Sequence, residues 1–302
     1  MAITLGVNTT FAINRIVEPE ELVGTIAQDI GLRRIQLIPE HLDPNWPAPV
    51  IHGFVGRYTK ACERHGVRIT SMLTGTQIRV NQLAHPDPDV RTFWVAWMKR
   101  YMTIAADLGA DGAGSQFGIL TLADDADPAR RSDRFKTALD LWREVGAHAK
   151  AAGLRYMLWE PMSVSREFGE TIAACRTLQR DVNEDMPLFF GMNLDVDHGD
   201  VTSPEPADRD PYAWRTALGR HAPIIHVKQS SANKGGHWPF TAEHNAGGRI
   251  QPQRVVDALK AGDSTDNELT FELSFRERNP SDGSAVAGVK ESVAFWRDVV
   301  PV

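Results

Sequence analysis

Residues 155–160 read RYMLWE, a short apolar run with the length of a buried strand, and it ends on the carboxylate Glu160. The same pattern recurs in FFGMNLD, where Asp195 ends the run. Two later runs carry the polar side chain inside the apolar stretch, His226 in IIHVKQ and Glu272 in LTFELSF. A charged group in an apolar strand is costly unless it is paired or coordinated, so this succession indicates one shared site.

Apolar runs of this kind alternate with amphipathic helical patterns along the whole chain. One helix is predicted to begin at Pro19 and to end at Gly31. The predicted strands are 3–9, 34–38, 68–74, 112–117, 155–160, 188–195, 224–229 and 269–275. Eight parallel strands close a barrel, so we predict an α/β fold, a single (β/α)8 TIM barrel that spans residues 1–302 as one domain.

An open, doubly wound sheet would show the same alternation, so the polar residues must decide between the two folds. In a barrel, functional side chains collect at the carboxyl ends of the strands. Glu160, Asp195, His226 and Glu272 follow one another at intervals of about one βα unit. This regular spacing favours the barrel.

The composition excludes several classes of partner. With 42% hydrophobic and 24% charged residues the chain is typical of a soluble globular protein, and its net charge of −6 argues against nucleic acid or an anionic membrane. Neither a signal-peptide pattern nor a membrane-spanning apolar run is found, so we expect a cytoplasmic protein. Cys62 and Cys175 lie far apart and outside any CxxC motif, which favours reduced thiols.

The four polar residues have the chemistry of a metal site. Two Glu, one Asp and one His supply mostly oxygen ligands and one imidazole, which suits Mn²⁺, Mg²⁺ or Co²⁺. A single polar residue at a strand end is usually an ordinary hydrogen-bonded or solvated group. The joint pattern therefore carries the prediction of one divalent metal ion.

Four motifs, LWEP (158–161), LDVDH (194–198), HVKQ (226–229) and FELSF (271–275), resemble the xylose-isomerase-like barrel superfamily, in particular its ketose 3-epimerase branch. The resemblance covers the predicted barrel from its first strand to its last. It implies that one metal ion is held by Glu160, Asp195, His226 and Glu272. It also implies that His198 contacts the substrate.

Longer segments resemble the tetrulose-phosphate epimerases of erythritol catabolism. They are GSQFG (114–118), LWEPMSVSREFGET (158–171), MNLDVDHGD (192–200) and PFTAEHNAGGRI (239–250). The resemblance implies an erythrulose phosphate that is inverted at the carbinol carbon next to the ketone. The free-sugar epimerases carry an Arg six residues after the His of strand seven, whereas position 232 is Ala here. That departure fits a different polar end of the substrate, such as a phosphate.

Inversion of a carbon centre requires a proton to leave one face and to return on the other, and Glu160 and Glu272 are the predicted acid–base pair. The further residues predicted to bind substrate are Gln116, Trp159, Lys228, Lys234, His237 and Arg276. The basic members of this set are predicted for a phosphate, although Lys and Arg are most often ordinary surface residues. The amide is expected to orient a hydroxyl, and the indole to cover the apolar face of a sugar.

Several alternatives stay open at the level of sequence. A free-ketose 3-epimerase, an aldose–ketose isomerase and a metal-dependent polyol dehydratase would all use the same ligands. A non-catalytic sugar-binding protein would be expected to lack a ligand, and none is missing. A DNA-repair nuclease of the superfamily would need further His and Asp ligands after His226, where the stretch 234–244 offers Gly, Trp, Pro and Phe among its residues. Whether the barrel forms a homo-oligomer is not decided by the sequence.

Overall fold

The computed structural model describes residues 2–75, 78–231, 234–264 and 266–300, with the side chains of Ala2 and Lys234 outside the description. The strands are β1 Ala2–Asn8, β2 Arg34–Leu37, β3 Arg68–Leu73, β4 Gly112–Gln116, β5 Tyr156–Glu160, β6 Phe190–Met192, β7 Ile224–Val227, β8 Gln229–Ser231, β9 Lys234–Trp238 and β10 Asp266–Phe271. The helices are α1 Pro19–Gly24, α2 Ala48–His65, α3 Pro88–Asp107, α4 Leu122–Asp125, α5 Pro128–Ala152, α6 Ile172–Asn183, α7 Pro211–Leu218, α8 Ala242–Asn245, α9 Pro252–Ala261 and α10 Ala285–Arg297.

Eight of these strands form one parallel sheet in the order β6–β5–β4–β3–β2–β1–β10–β7. Asn193, directly after β6, pairs in parallel with Ile224 of β7, so the two ends of the sheet meet. Helices connect successive parallel strands because a parallel pair needs a crossover connection. The predicted (β/α)8 barrel is confirmed, whereas its assignment as one domain stays a prediction.

The first helical segment begins and ends where its sequence signals predict. Pro19 is the first residue of α1, and a π-helical turn over Thr25–Ile30 continues the helix. Gly31 then adopts a left-handed conformation with φ 82°, which costs glycine little because it lacks a Cβ.

The predicted bounds of the last strand were wrong. Residues 269–275 were expected, but β10 starts at Asp266 and ends at Phe271. Glu272 N–H still donates to Val227 O of the barrel at 3.1 Å, whereas Ser274 N–H donates to His237 O of β9 at 2.9 Å. The chain therefore leaves the barrel sheet just after Phe271, while its apolar pattern continues.

The polar end of β6 was also misjudged, since residues 188–195 were predicted and only Phe190–Met192 are strand. Leu194 N–H still bonds to Ile224 O at 2.9 Å, so the chain stays beside β7. Asp195 then turns, because its Oδ1 accepts the N–H of Asp197 at 2.6 Å. The Asp195 side chain thus lies just beyond the strand.

A hairpin of β8 and β9 follows β7 and was not predicted; residues 224–229 had been assigned to one strand. Gly236 N–H of β9 donates to Asp197 Oδ2 at 3.3 Å, and Arg249 Nη2 donates to Asp197 Oδ1 at 2.6 Å. The hairpin is thereby anchored to the loop after β6, at the carboxyl end of the barrel. None of the described helices has the length and apolar composition to span a membrane.

Alternation along β5 shows how the barrel orients its polar residues. Leu158 packs in the small interior cluster with Leu73 and Ile224, whereas Trp159 belongs to the larger core that the helices cover. Because side chains of a strand alternate between its two faces, Glu160 points inward like Leu158. It therefore lies at the carboxyl end of the barrel interior.

Candidate metal and substrate site

The four residues predicted to share a site lie together. His226 Nδ1 is 3.3 Å from Glu160 Oε1 and 3.4 Å from Glu272 Oε2. Asp195 Oδ2 is 3.8 Å from the same nitrogen. Atoms of Asp195, His226 and Glu272 that could bind a metal lie within 4.8 Å of one another, and so do those of Glu160, Asp195 and His198. We call Glu160, Asp195, His226 and Glu272 the carboxylate–histidine cluster.

The orientation of His226 fits a metal ligand. Its ring is fully buried, and Nε2 lies 2.6 Å from Gln36 Oε1. Within the described ranges no hydrogen-bond partner is found for Nδ1, the nitrogen that faces the carboxylates. A ligating histidine usually donates its other ring N–H to a protein oxygen, which is the arrangement seen here. The donor set therefore fits a divalent cation that prefers oxygen and imidazole.

Lys228 lies inside the cluster and is almost completely buried. Its Nζ is 2.8 Å from Asp195 Oδ2 and 3.0 Å from Glu272 Oε2. Burial opposes the ammonium, but the two carboxylates outweigh it and raise the pKa of Lys228. Three carboxylates and one ammonium together carry a net charge of −2, which one divalent cation would balance.

The other ionisable groups of the cluster show the same attraction for positive charge. Burial works to raise the pKa of Asp195 and Glu272, but Lys228 lowers both, that of Glu272 well below its usual range. Burial works to lower the pKa of His226, but the Glu272 and Glu160 carboxylates raise it to about 10. The cluster is therefore built to hold cationic charge in a place with little solvent.

His198, which is predicted to contact the substrate, borders the cluster. Its Nδ1 is 2.9 Å from Pro161 O and 3.8 Å from Glu160 Oε1, and its side chain is partly exposed. A carbonyl oxygen only accepts, so Nδ1 carries a hydrogen and Nε2 is left for another partner. The position suits a group that contacts a substrate oxygen.

Two other predicted substrate contacts lie in different surroundings. Gln116 ends β4 near the mouth, where its Oε1 accepts from Thr74 Oγ1 at 3.4 Å. Trp159 is fully buried on the opposite face of β5 from Glu160, and its Nε1 donates to Gln179 Oε1 of α6 at 2.8 Å. The contact of Trp159 with substrate was predicted wrongly, because strand alternation turns it toward the helices.

A cavity of about 760 Å³ adjoins the cluster between β9 and α10. Its lining includes His237 and Arg276, and His237 Nε2 lies 3.1 Å from Glu272 Oε2. Arg276 is exposed, and its guanidinium has no ion-pair or hydrogen-bond partner in the described part of the chain. The side chain of Lys234, also predicted to bind phosphate, lies outside the described residues.

Sequence reasoning missed the polar residues that support the cluster from below and from the side. Asn8, Gln36 and Asn193 are buried beneath it, and each interrupts an apolar run as the carboxylates do. Arg215 of α7 is buried and donates to the backbone carbonyl of Asp195. The same search for polar residues in apolar runs would have found the three amides, but not the arginine on a helix.

The sequence of this chain is similar to those of known proteins over almost its whole length. The model of the xylose isomerase-like TIM barrel family matches residues 25–299. A curated D-erythrulose 1-phosphate 3-epimerase of Brucella abortus (strain 2308) is 49% identical over 297 residues, which are 98% of this chain and 96% of the relative.

Solved structures show the same fold. A protein of Rhodospirillum rubrum ATCC 11170 is 27% identical with a TM-score of 0.89, over 99% of this chain and 100% of the other. A D-psicose 3-epimerase of Clostridium cellulolyticum H10 is 14% identical with a TM-score of 0.72, over 100% of each chain. At 14% identity, the similarity to the second structure supports the fold alone.

Proposed function

The chain belongs to the xylose isomerase-like TIM barrel family, and we propose that it is a divalent-metal-dependent isomerase that inverts C3 of erythrulose 1-phosphate. The observation that carries the proposal is that Glu160 and Glu272 flank His226 Nδ1 at 3.3 and 3.4 Å. The near full-length likeness to an epimerase that acts on this sugar phosphate supports the choice of substrate.

The proposed metal ligands are the four members of the carboxylate–histidine cluster, with His226 binding through Nδ1. Mn²⁺, Mg²⁺ and Co²⁺ suit this donor set. When bound, such a cation supplies Lewis acidity to the ketone and its neighbouring hydroxyl, which makes the C3–H bond more acidic. The Lys228 ammonium completes the charge balance of the three carboxylates.

The two glutamates have separate roles in the proposed proton transfers. Glu160 ends β5 and Glu272 follows β10, and β6 and β7 lie between these strands in barrel order. The two carboxylates therefore reach the site from different sides. One removes the proton from C3 on one face, and the other, in its acid form, returns a proton to C3 on the opposite face. His198 Nε2 is positioned to contact a substrate oxygen.

The remaining substrate contacts are proposed from position and charge. Arg276 and His237 line the cavity beside Glu272 and are the proposed phosphate contacts, while Gln116 is proposed to orient a hydroxyl. Lys228 is engaged with carboxylates, so we place it with the cluster instead of with the phosphate. A cytoplasmic location stays a prediction, and whether the barrel forms a homo-oligomer stays open.

The decisive experiment combines metal depletion with isotope exchange. Protein stripped with a chelator is incubated with erythrulose 1-phosphate in D₂O, with and without Mn²⁺, Mg²⁺ or Co²⁺. We expect metal-dependent deuterium incorporation at C3 and formation of both C3 epimers, measured by mass spectrometry and chiral analysis. Because C1 carries the phosphate, an isomerase would instead move the carbonyl from C2 to C3 and give a ketose with its phosphate at the other end of the chain, and loss of water would identify a dehydratase. Absence of exchange with all three metals would leave a sugar-binding protein.

A further inference from the structure

Three buried amide side chains lie directly beneath the carboxylate–histidine cluster, and we call Asn8, Gln36 and Asn193 the amide layer. Gln36 and Asn193 are fully buried and Asn8 is 2% exposed. They come from β1, from β2 and from the residue after β6. Buried amides must be hydrogen-bonded in a consistent pattern, so their orientation can be worked out from their partners.

The orientation of this layer is fixed at a backbone amide. Thr10 N–H donates to Asn8 Oδ1 at 2.9 Å, so Asn8 presents its NH₂ group on the other side. That group donates to Gln36 Oε1 at 2.7 Å. Gln36 Oε1 also lies 2.6 Å from His226 Nε2, and since this oxygen can only accept, Nε2 must carry the hydrogen. In its neutral form, His226 is thereby left with the Nδ1 lone pair toward the cluster.

The second arm of the layer reaches another member of the cluster. Gln36 Nε2 donates to Asn193 Oδ1 at 3.2 Å, so Asn193 turns its NH₂ group toward Glu160. Asn193 Nδ2 donates to Glu160 Oε1 at 3.1 Å. One glutamine side chain thus sets the orientation of both His226 and Glu160.

We propose that Gln36 is a positioning residue that selects the tautomer of His226 in which Nδ1 binds the metal, and that holds Glu160 through Asn193. This inference rests on the proposed metal site. Outer partners of metal ligands commonly contribute about 10- to 100-fold to metal affinity. The amide layer provides such partners without any charge of its own.

The test uses two changes to the layer and one matched control. Gln36→Met keeps the length of the side chain but removes the acceptor. Asn8→Asp is isosteric and puts an acceptor where the NH₂ group was, which would turn the Gln36 amide round and present Nε2 to His226. Ser71→Ala removes the other partner of Gln36 Nε2, a hydroxyl at 3.2 Å that does not lead to the cluster.

Two measurements report on the orientation independently of turnover. Free Mn²⁺ followed by electron paramagnetic resonance gives the metal affinity, which should fall about 10- to 100-fold in Gln36→Met and also in Asn8→Asp. In the Mg²⁺-loaded protein, ¹⁵N-labelled histidine should show a protected Nε2–H of His226 that is lost in both variants. Ser71→Ala should retain the wild-type affinity and the protected resonance.

The inference would be overturned if Asn8→Asp, like Ser71→Ala, kept the wild-type Mn²⁺ affinity and the wild-type His226 resonance. This result would be decisive even if Gln36→Met failed to fold. Loss of affinity in Ser71→Ala to the same degree would also overturn it, because general disturbance of the layer would then explain the effect. Failure of the wild-type protein to bind Mn²⁺ would instead refute the metal site of the proposed function.

Discussion

Glu268 and Glu272 lie four residues apart on one segment, yet the barrel puts them at opposite ends and in opposite circumstances. Glu268 lies within β10 at the amino end of the barrel, and its carboxylate receives the Thr70 hydroxyl at 2.9 Å and Arg34 at 3.3 Å. Glu272 shares its surroundings with two further carboxylates and a buried Lys228.

The ionisation of the two residues differs accordingly. Burial raises the pKa of Glu268 because the neighbouring hydroxyls and the half-exposed Arg34 compensate it only in part. For Glu272 the Lys228 ammonium and His226 reverse the effect of burial and hold its pKa well below the usual range. A buried carboxylate by itself is therefore no sign of catalysis. Carboxylates that are gathered around a cation do indicate a functional site, because their mutual repulsion would otherwise drive them apart.

The largest effect is expected from replacing Glu272 and Glu160, the proposed acid–base pair, with Glu268 as the comparison. We expect Glu272→Gln to lower epimerisation at C3, measured as deuterium exchange into the opposite epimer, by about 10²- to 10⁴-fold at saturating Mn²⁺, because an amide cannot act as acid or base. Glu160→Gln should lose a similar factor. The matched control Glu268→Gln should change exchange by less than about threefold, because it lies at the end of the barrel that serves stability. Similar rates for Glu268→Gln and Glu272→Gln would contradict this division.

The cavity beside Glu272 gives a second, smaller expected effect. Hydrogen bonds to a charged group contribute about 1.5–3 kcal/mol, so Arg276→Gln should lower kcat/KM for erythrulose 1-phosphate by about 10- to 100-fold. The quantity to compare is the ratio of kcat/KM for the phosphorylated ketose to that for free erythrulose. Arg278→Gln is the matched control, since it removes a neighbouring exposed charge that does not line the cavity.

The ratio should fall in Arg276→Gln and stay at the wild-type value in Arg278→Gln. The same cavity is also lined by Glu243 and Glu291, so a phosphate is expected only at its inner end near His237. An unchanged ratio in both variants, with active wild-type protein, would place the phosphate elsewhere and leave the epimerase proposal standing.

The sequence predicted the cluster better than it predicted its supports. Glu160 and His226 stand out because a polar residue in an apolar strand has a free-energy cost that local structure does not explain. Glu268 shows the same signal within β10, but its partners Thr70 and Arg34 are distant in sequence. Only the fold reveals that this carboxylate is satisfied locally and is not part of a site.

Other features were beyond sequence reasoning for a physical reason. The β8–β9 hairpin is held by Asp197, whose partners Gly236 and Arg249 come from separate segments. Trp159 was predicted to cover the apolar face of a sugar, but adjacent residues of a strand face opposite sides, and Trp159 faces the helices. Such errors concern direction and long-range pairing, which composition and periodicity leave undetermined.

The smallest expected effect is on the free energy of unfolding, and it concerns Glu268 at the amino end of the barrel. The pKa of Glu268 is raised on folding, so its contribution to stability is fully present below the unfolded pKa and is lost as pH rises through the folded pKa. Glu268→Gln removes this titration. Its free energy of unfolding relative to wild type should therefore increase as the pH rises above the ordinary value of 4.5.

Urea unfolding of both proteins at pH 5 and pH 8 measures this change. The prediction holds if the free energy of unfolding of Glu268→Gln relative to wild type is higher at pH 8 than at pH 5. Asp266→Asn, which neutralises an exposed carboxylate at the start of the same strand, serves as the control and should give equal differences at both pH values. The absolute stability of Glu268→Gln is a weaker test, because the substitution also weakens the contact with the partly exposed Arg34, worth about 0–1 kcal/mol. A relative stability of Glu268→Gln that falls with pH would mean that Arg34 and Thr70 outweigh burial, and Glu268 would then resemble Glu272 in its ionisation after all.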